Sequence, residues 1–165
     1  MEFDTRMCIK KGSAIMKNLE LKCEYLTSPI GIQNKTPRFS WKLNNSNSMQ
    51  IKYRILVSDS LEDIESDRGN MWDSGTVEEN NSWCVEYQGR ELQSKTKYFW
   101  KLILTLDDET VGTGISCFET ALFHQSDWRG KWIQSPSPRY GVSPLFLKQF
   151  TLDKHLQDLT NNINK

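Results

Sequence analysis

The run Leu92-Gln93-Ser94-Lys95-Thr96-Lys97-Tyr98 passes directly into the alternating stretch Tyr98-Phe99-Trp100-Lys101-Leu102-Ile103-Leu104-Thr105-Leu106, and it constrains the fold more than any other part of the chain. A Leu, a Thr and a Tyr at this spacing before a strand write a tyrosine corner. There the chain passes from one β-sheet into another, and the tyrosine hydroxyl bonds back to upstream backbone. Leu92, Thr96 and Tyr98 carry the motif. Such a corner requires two packed sheets and supplies no chemistry, so function must be sought in other residues or in what the scaffold accompanies.

Apolar residues elsewhere recur with period two, the mark of strands with one buried face. Leu19, Leu21, Cys23 and Tyr25 alternate in a first strand, which Pro29 and Gly31 end. Phe39, Trp41 and Leu43 form a second, followed by the Asn/Ser loop from Asn44 to Ser48. Ile51, Tyr53, Ile55 and Val57 form a third. Ser60 to Gly69 reads as an acidic, helix-tolerant surface excursion, Met71 to Gly75 as a short edge strand, and Ser82 to Tyr87 as a fifth segment. The corner strand ends at the turn Asp107-Asp108-Glu109, and Gly114 to Leu122 supplies the last strand. This pattern predicts an all-β, fibronectin-III/immunoglobulin-like β-sandwich of about seven strands.

At 165 residues the chain holds one sandwich and a remainder. Lys plus Arg and Asp plus Glu both number 21, so no net field draws a polyanion or an acidic lipid surface, and neither nucleic acid nor membrane is an expected partner. Cys8, Cys23, Cys84 and Cys117 are irregularly spaced without a C-x-x-C pair, which favours buried thiols over a metal site or disulfide framework. The segment Met1 to Ala14 carries Glu2, Asp4, Arg6, Lys10 and Lys11 and shows no signal-peptide apolar run, so a cytoplasmic location is expected.

Four regions follow: an N-terminal extension over 1–16, the sandwich over 17–123, a linker with a Trp-rich patch over 124–143, and the start of a second β domain over 144–165. The patch is Asp127-Trp128-Arg129-Gly130-Lys131-Trp132-Ile133. Pro144 to Leu152 reads as one further strand, left incomplete by the polar stretch from Lys154 to Lys165. An apolar edge at Phe146 to Leu152 would be a route to self-association.

Several strings in one order carry a resemblance: Leu21-Lys22-Cys23-Glu24-Tyr25-Leu26, Ser28-Pro29-Ile30-Gly31-Ile32, Pro37-Arg38-Phe39-Ser40-Trp41, Tyr53-Arg54-Ile55-Leu56-Val57, Trp72-Asp73-Ser74-Gly75, and Ser126-Asp127-Trp128 with Lys131-Trp132-Ile133. From about Leu19 to Leu152 the chain resembles the N-terminal region of bacterial α-L-rhamnosidases, inverting glycoside hydrolases that release terminal rhamnose. The resemblance implies a fibronectin-III-like first domain whose partners are a jelly-roll domain and a helical catalytic domain further along. No position here matches the family's acid or base.

The residues agree that catalysis lies elsewhere. An inverting glycosidase needs two carboxylates across a sugar-sized cleft, whereas Glu78-Glu79, Asp63, Glu65, Asp67 and Asp107-Asp108-Glu109 sit in turns or surface excursions. A histidine base could come only from His124 or His155, and neither accompanies a nucleophile motif. No catalytic, metal or cofactor-binding residue is assigned. Trp41 and Trp100 belong to the core by their alternation. Trp72, Trp83, Trp128 and Trp132 lie at edges or in the linker, where an aromatic face can stack on a sugar. The register of Trp83, beside Cys84, stays open, and Trp128 and Trp132 are the candidates for an interdomain plug or a sugar-stacking surface, with the plug favoured. The expected role is a non-catalytic, orienting module of an α-L-rhamnosidase, inactive by itself. The alternative is a free-standing carbohydrate-binding or adhesion sandwich.

Overall fold

Extended backbone forms where β-branched and aromatic residues alternate with polar ones, and the sandwich is built from seven such strands. The computed structural model describes residues 19–44, 48–134 and 145–149. The elements are β1 (Leu19–Cys23), β2 (Arg38–Leu43), β3 (Gln50–Ser58), α1 (Leu61–Glu65), β4 (Trp72–Asp73), β5 (Val85–Glu86), β6 (Lys97–Leu106) and β7 (Val111–Glu119), followed by a 3-10 turn at Gln125–Asp127. One sheet has the order β1-β2-β5 and the other β4-β3-β6-β7, all antiparallel. This is the fibronectin-III/immunoglobulin-like sandwich that the alternation predicts.

The core is the set of inward residues from both sheets. Leu21, Cys23, Phe39 and Trp41 face Tyr53, Ile55, Val57, Tyr98, Trp100, Leu102, Leu104 and Phe118. Aromatic contacts lock the centre: Phe39 lies 4.6 Å from Trp100, and Trp41 meets Tyr53 edge-on at 5.1 Å, ring centre to ring centre. On the outer face of the second sheet α1 packs against β3 and β6. There Leu56 and Ile64 are fully buried, and the ammonium of buried Lys101 reaches Asp67 at 2.6 Å. Ser60 caps α1 by accepting from the Asp63 N–H.

After β1 the chain crosses to the other sheet. The N–H groups of Gly31 and Ile32 both donate to the Glu119 carbonyl, and the Glu119 N–H donates to the Pro29 carbonyl. The crossing covers the β7 edge, which would otherwise offer unpaired backbone.

Two tyrosines fix the approach to β6. The Tyr98 hydroxyl accepts from the Gln93 N–H at 2.9 Å, Leu92 is buried beside it, and the Thr96 hydroxyl donates to the Ser94 carbonyl. Tyr87 donates to the Arg90 carbonyl at 2.7 Å, and burial pushes its phenol up to about 12. A Cβ on Gly89 would lie 2.4 Å from the Met71 carbonyl oxygen and 2.5 Å from the Tyr87 hydroxyl, so this turn closes only around glycine.

Five expectations are corrected. Tyr25 is not part of the first strand: β1 ends at Cys23, and Glu24 and Tyr25 both take left-handed backbone. Ile51 is 41% exposed because a bulge between Gln50 and Lys52 shifts the register before the alternation becomes regular at Tyr53. The last strand begins at Val111, since the 107–110 turn is tight, and ends at Glu119. Among the described cysteines Cys23 is buried while Cys84 and Cys117 are half-buried, and Cys8 lies outside the described residues. In the stretch predicted as a further strand, residues 145–149 carry no strand pairing, and 144 and 150–152 lie outside the described residues.

Candidate interaction surface

A tight reversal follows β1. Cys23 and Leu26 exchange both backbone hydrogen bonds, at 2.9 and 3.0 Å, across Glu24 and Tyr25, whose φ angles are 48° and 66°. Two consecutive left-handed residues make the turn type that Asn-Gly usually fills, and each residue with a Cβ pays about 1–2 kcal/mol there. Glu24 offsets this with its carboxylate. Oε1 accepts from the Arg38 N–H at 2.7 Å, from Arg38 Nε at 3.1 Å and from Asn34 Nδ2 at 3.1 Å, while Oε2 takes Arg38 Nη2 at 2.7 Å. These bonds from Arg38 hold the Glu24 carboxyl below its ordinary range.

Tyr25 makes no comparable contact with the core. It is 44% exposed, and its ring lies under the Arg38 guanidinium at 5.0 Å. Its hydroxyl shares a 3.3 Å hydrogen bond with Cys84 Sγ. Cys84 is itself left-handed, at φ 54°, with its N–H held by Ser40 Oγ. Beside that kink the fifth segment keeps only Val85–Glu86 as strand, and Trp83 is 61% exposed against the Tyr25 ring at 5.5 Å. The result is an exposed aromatic pair, next in sequence to exposed Leu26.

Of the tryptophans read as edge or linker residues, Trp72 packs against the core beside Tyr87 and Trp83 is exposed. Trp128 is exposed at the end of the 3-10 turn, and Trp132 is 99% exposed. Leu92, Thr96 and Tyr98 lie in the corner, far in function from any cleft. Among the described residues the turn acids have local partners: Glu78 pairs with Lys52, Asp63 with Arg68, Asp107 accepts from the Met49 N–H, and Asp108 from the Thr110 N–H. His155 lies outside the described residues. Also among them, no three His, Cys, Asp or Glu side chains group as metal ligands. An open groove of about 590 Å³ runs past Met49, Ile51, Glu78 and Glu79.

The sequence placed Trp83 among the edge tryptophans with its register open, but Tyr25 sat in a stretch that reads as a strand, so the pairing of the two was not legible. The three non-glycine left-handed residues that turn them outward, Glu24, Tyr25 and Cys84, carry no composition signal.

Comparison with known proteins places this sandwich. The domain family described as "Rha78A-like, N-terminal immunoglobulin domain" matches residues 19–124. An α-L-rhamnosidase from Formosa agariphila is 33% identical over 112 residues, covering 65% of this chain and 12% of the relative. One from Streptomyces avermitilis is 32% identical over 119 residues, covering 70% of this chain and 11% of the relative. Among solved structures, the α-L-rhamnosidase of Dictyoglumus thermophilum superposes with a TM-score of 0.65 at 37% identity, over 75% of this chain and 14% of its own. The S. avermitilis enzyme complexed with L-rhamnose gives 0.65 at 30% identity, over 72% and 12%. The chain thus spans about an eighth of the length of these relatives. It belongs to the family of Rha78A-like N-terminal immunoglobulin domains.

Proposed function

We propose that this chain is a non-catalytic sandwich module of an α-L-rhamnosidase, and that it stabilises and orients the jelly-roll and catalytic parts of the enzyme. The observation that carries this reading is the family match over 19–124 combined with its small share of each relative. A domain that occupies about an eighth of an enzyme, and whose own acids are engaged in turns, serves by holding its neighbours. In this role Trp128 and Trp132 contribute exposed aromatic surface for the rest of the protein to cover.

The test has two arms. Purified chain is incubated with an aryl α-L-rhamnoside, and tryptophan fluorescence is followed while L-rhamnose is added. No release of the aryl group and no saturable fluorescence change are expected. Turnover would overturn the non-catalytic assignment, and saturable quenching would replace it with a carbohydrate-binding module.

A further inference from the structure

Tyr25 and Trp83 are held outward at a conformational cost that the core does not return. Tyr25 sits in left-handed backbone, and Cys84 does the same next to Trp83. Such outliers, kept on the surface by their surroundings, mark positions where strain serves an interaction. Tyr25 is also held in place before any partner arrives. The Cys23–Leu26 reversal fixes the Tyr25 backbone, Arg38 stacks on its ring, and Cys84 holds its hydroxyl. Pre-fixed aromatic side chains lose little entropy on binding, which is why they anchor interfaces.

The polar groups around the pair decide what it fits. A sugar needs an aromatic face together with free donors and acceptors beside it. Here the Glu24 carboxylate is filled by Arg38 and Asn34, and the Tyr25 hydroxyl is engaged with Cys84. The Glu24–Arg38 pair cancels its own charge, so the patch has no preference for an ion. What it offers is the Trp83 and Tyr25 rings with the neighbouring exposed Leu26, an apolar face with a satisfied polar border. Its complement is an apolar protein surface.

We propose that the Tyr25–Trp83 face docks against an apolar patch on the remainder of an α-L-rhamnosidase. The proposal rests on the module reading above. In the relatives this domain is 11–14% of a single chain, so the rest of that chain is the surface at hand to cover the face.

The experiment titrates the full chain into S. avermitilis α-L-rhamnosidase from which the matching segment has been removed. Calorimetry reads affinity, and hydroxyl-radical footprinting reads the exposure of Tyr25 and Trp83. Saturable binding with protection of both residues is expected. Trp83→Ala should weaken it at least tenfold, whereas Ile51→Ala, at another exposed apolar position, should bind like the parent. Circular dichroism and the denaturant midpoint establish that Trp83→Ala is folded. Equal binding by Trp83→Ala and parent, or no binding, overturns the proposal, as does quenching of Trp83 by L-rhamnose alone. Hydrolysis of an aryl rhamnoside by the chain itself would instead overturn the module reading, and it is measured separately.

Discussion

Ser94 donates its hydroxyl to Asp127 Oδ2 at 2.5 Å, joining the tyrosine corner to the segment that leaves the sandwich. The Phe123 N–H donates to Ser94 Oγ at 2.9 Å and the His124 N–H to Asp127 Oδ2 at 3.1 Å. Beside them Lys95 bonds Ala121 through the backbone, and Thr120 Oγ1 donates to the Gln93 carbonyl. Corner and exit are therefore one network, and the direction of residues 121–128 is set by the corner. Ser94→Ala removes a donor from Asp127 and an acceptor from Phe123. Amide exchange at Phe123 and His124 should rise by roughly tenfold, about the worth of one hydrogen bond, with little change in the global midpoint. Unchanged exchange would show that the clasp does not hold the exit.

The same clasp sets a pH dependence. The Ser94 hydroxyl, then the His124 N–H, hold the Asp127 carboxyl below its ordinary range, as Arg38 does for Glu24 and Arg54 for Asp73. A carboxyl lowered on folding contributes stability above its unfolded value, about 4, and the contribution is lost as pH falls through the lower folded value. Exchange at Phe123 and His124, corrected for intrinsic rates, should be flat from neutrality to about pH 5 and rise below about pH 4. Asp127→Asn should remove that rise at these two amides.

Tyr98→Phe leaves the Gln93 N–H without its acceptor while keeping the ring against Phe118 at 5.4 Å. The expected cost is about 1 kcal/mol, the net worth of one hydrogen bond, because the bond is half-buried and Gln93 itself is exposed. A denaturant midpoint equal to the parent's would mean that the hydroxyl contributes nothing to the corner.

The layout of the sandwich was legible because alternation and burial are coupled wherever a strand has one face on the core. Phe39 with Trp41, and Tyr98 with Trp100, Leu102 and Leu104, are inward as their spacing predicts. Legibility stopped where backbone geometry overrode the period. The bulge at Gln50/Lys52 exposes Ile51, and the left-handed residues Glu24, Tyr25 and Cys84 turn an aromatic pair outward from stretches that read as strands. Those conformations are held by contacts distant in sequence, such as Glu24 with Arg38 and Tyr25 with Cys84, and no local pattern encodes them. The interaction surface was hidden for the same reason: it is made by departures from the pattern that revealed the fold.

Two core tryptophans separate packing from polar satisfaction. Trp41 Nε1 donates to Gln50 Oε1 at 2.6 Å, and Gln50 Nε2 donates on to the Glu79 and Asn81 carbonyls, so this indole anchors the 79–81 loop. Trp100 is fully buried, and its Nε1–H has no partner among the described residues. Replacing either by Phe removes similar volume, at about 1–3 kcal/mol for a partly refilled cavity. At position 41 the lost hydrogen bond adds about 1 kcal/mol, whereas at position 100 the unpaired donor disappears and offsets part of the cost. Trp41→Phe should therefore be the more destabilising change, although Trp100 is the more deeply buried, and it alone should speed proteolysis within residues 79–81. Denaturant midpoints and limited proteolysis of the two variants check both points. A larger loss for Trp100→Phe would show that packing around the indole, and not its unpaired N–H, decides the energetics at the centre of the sandwich.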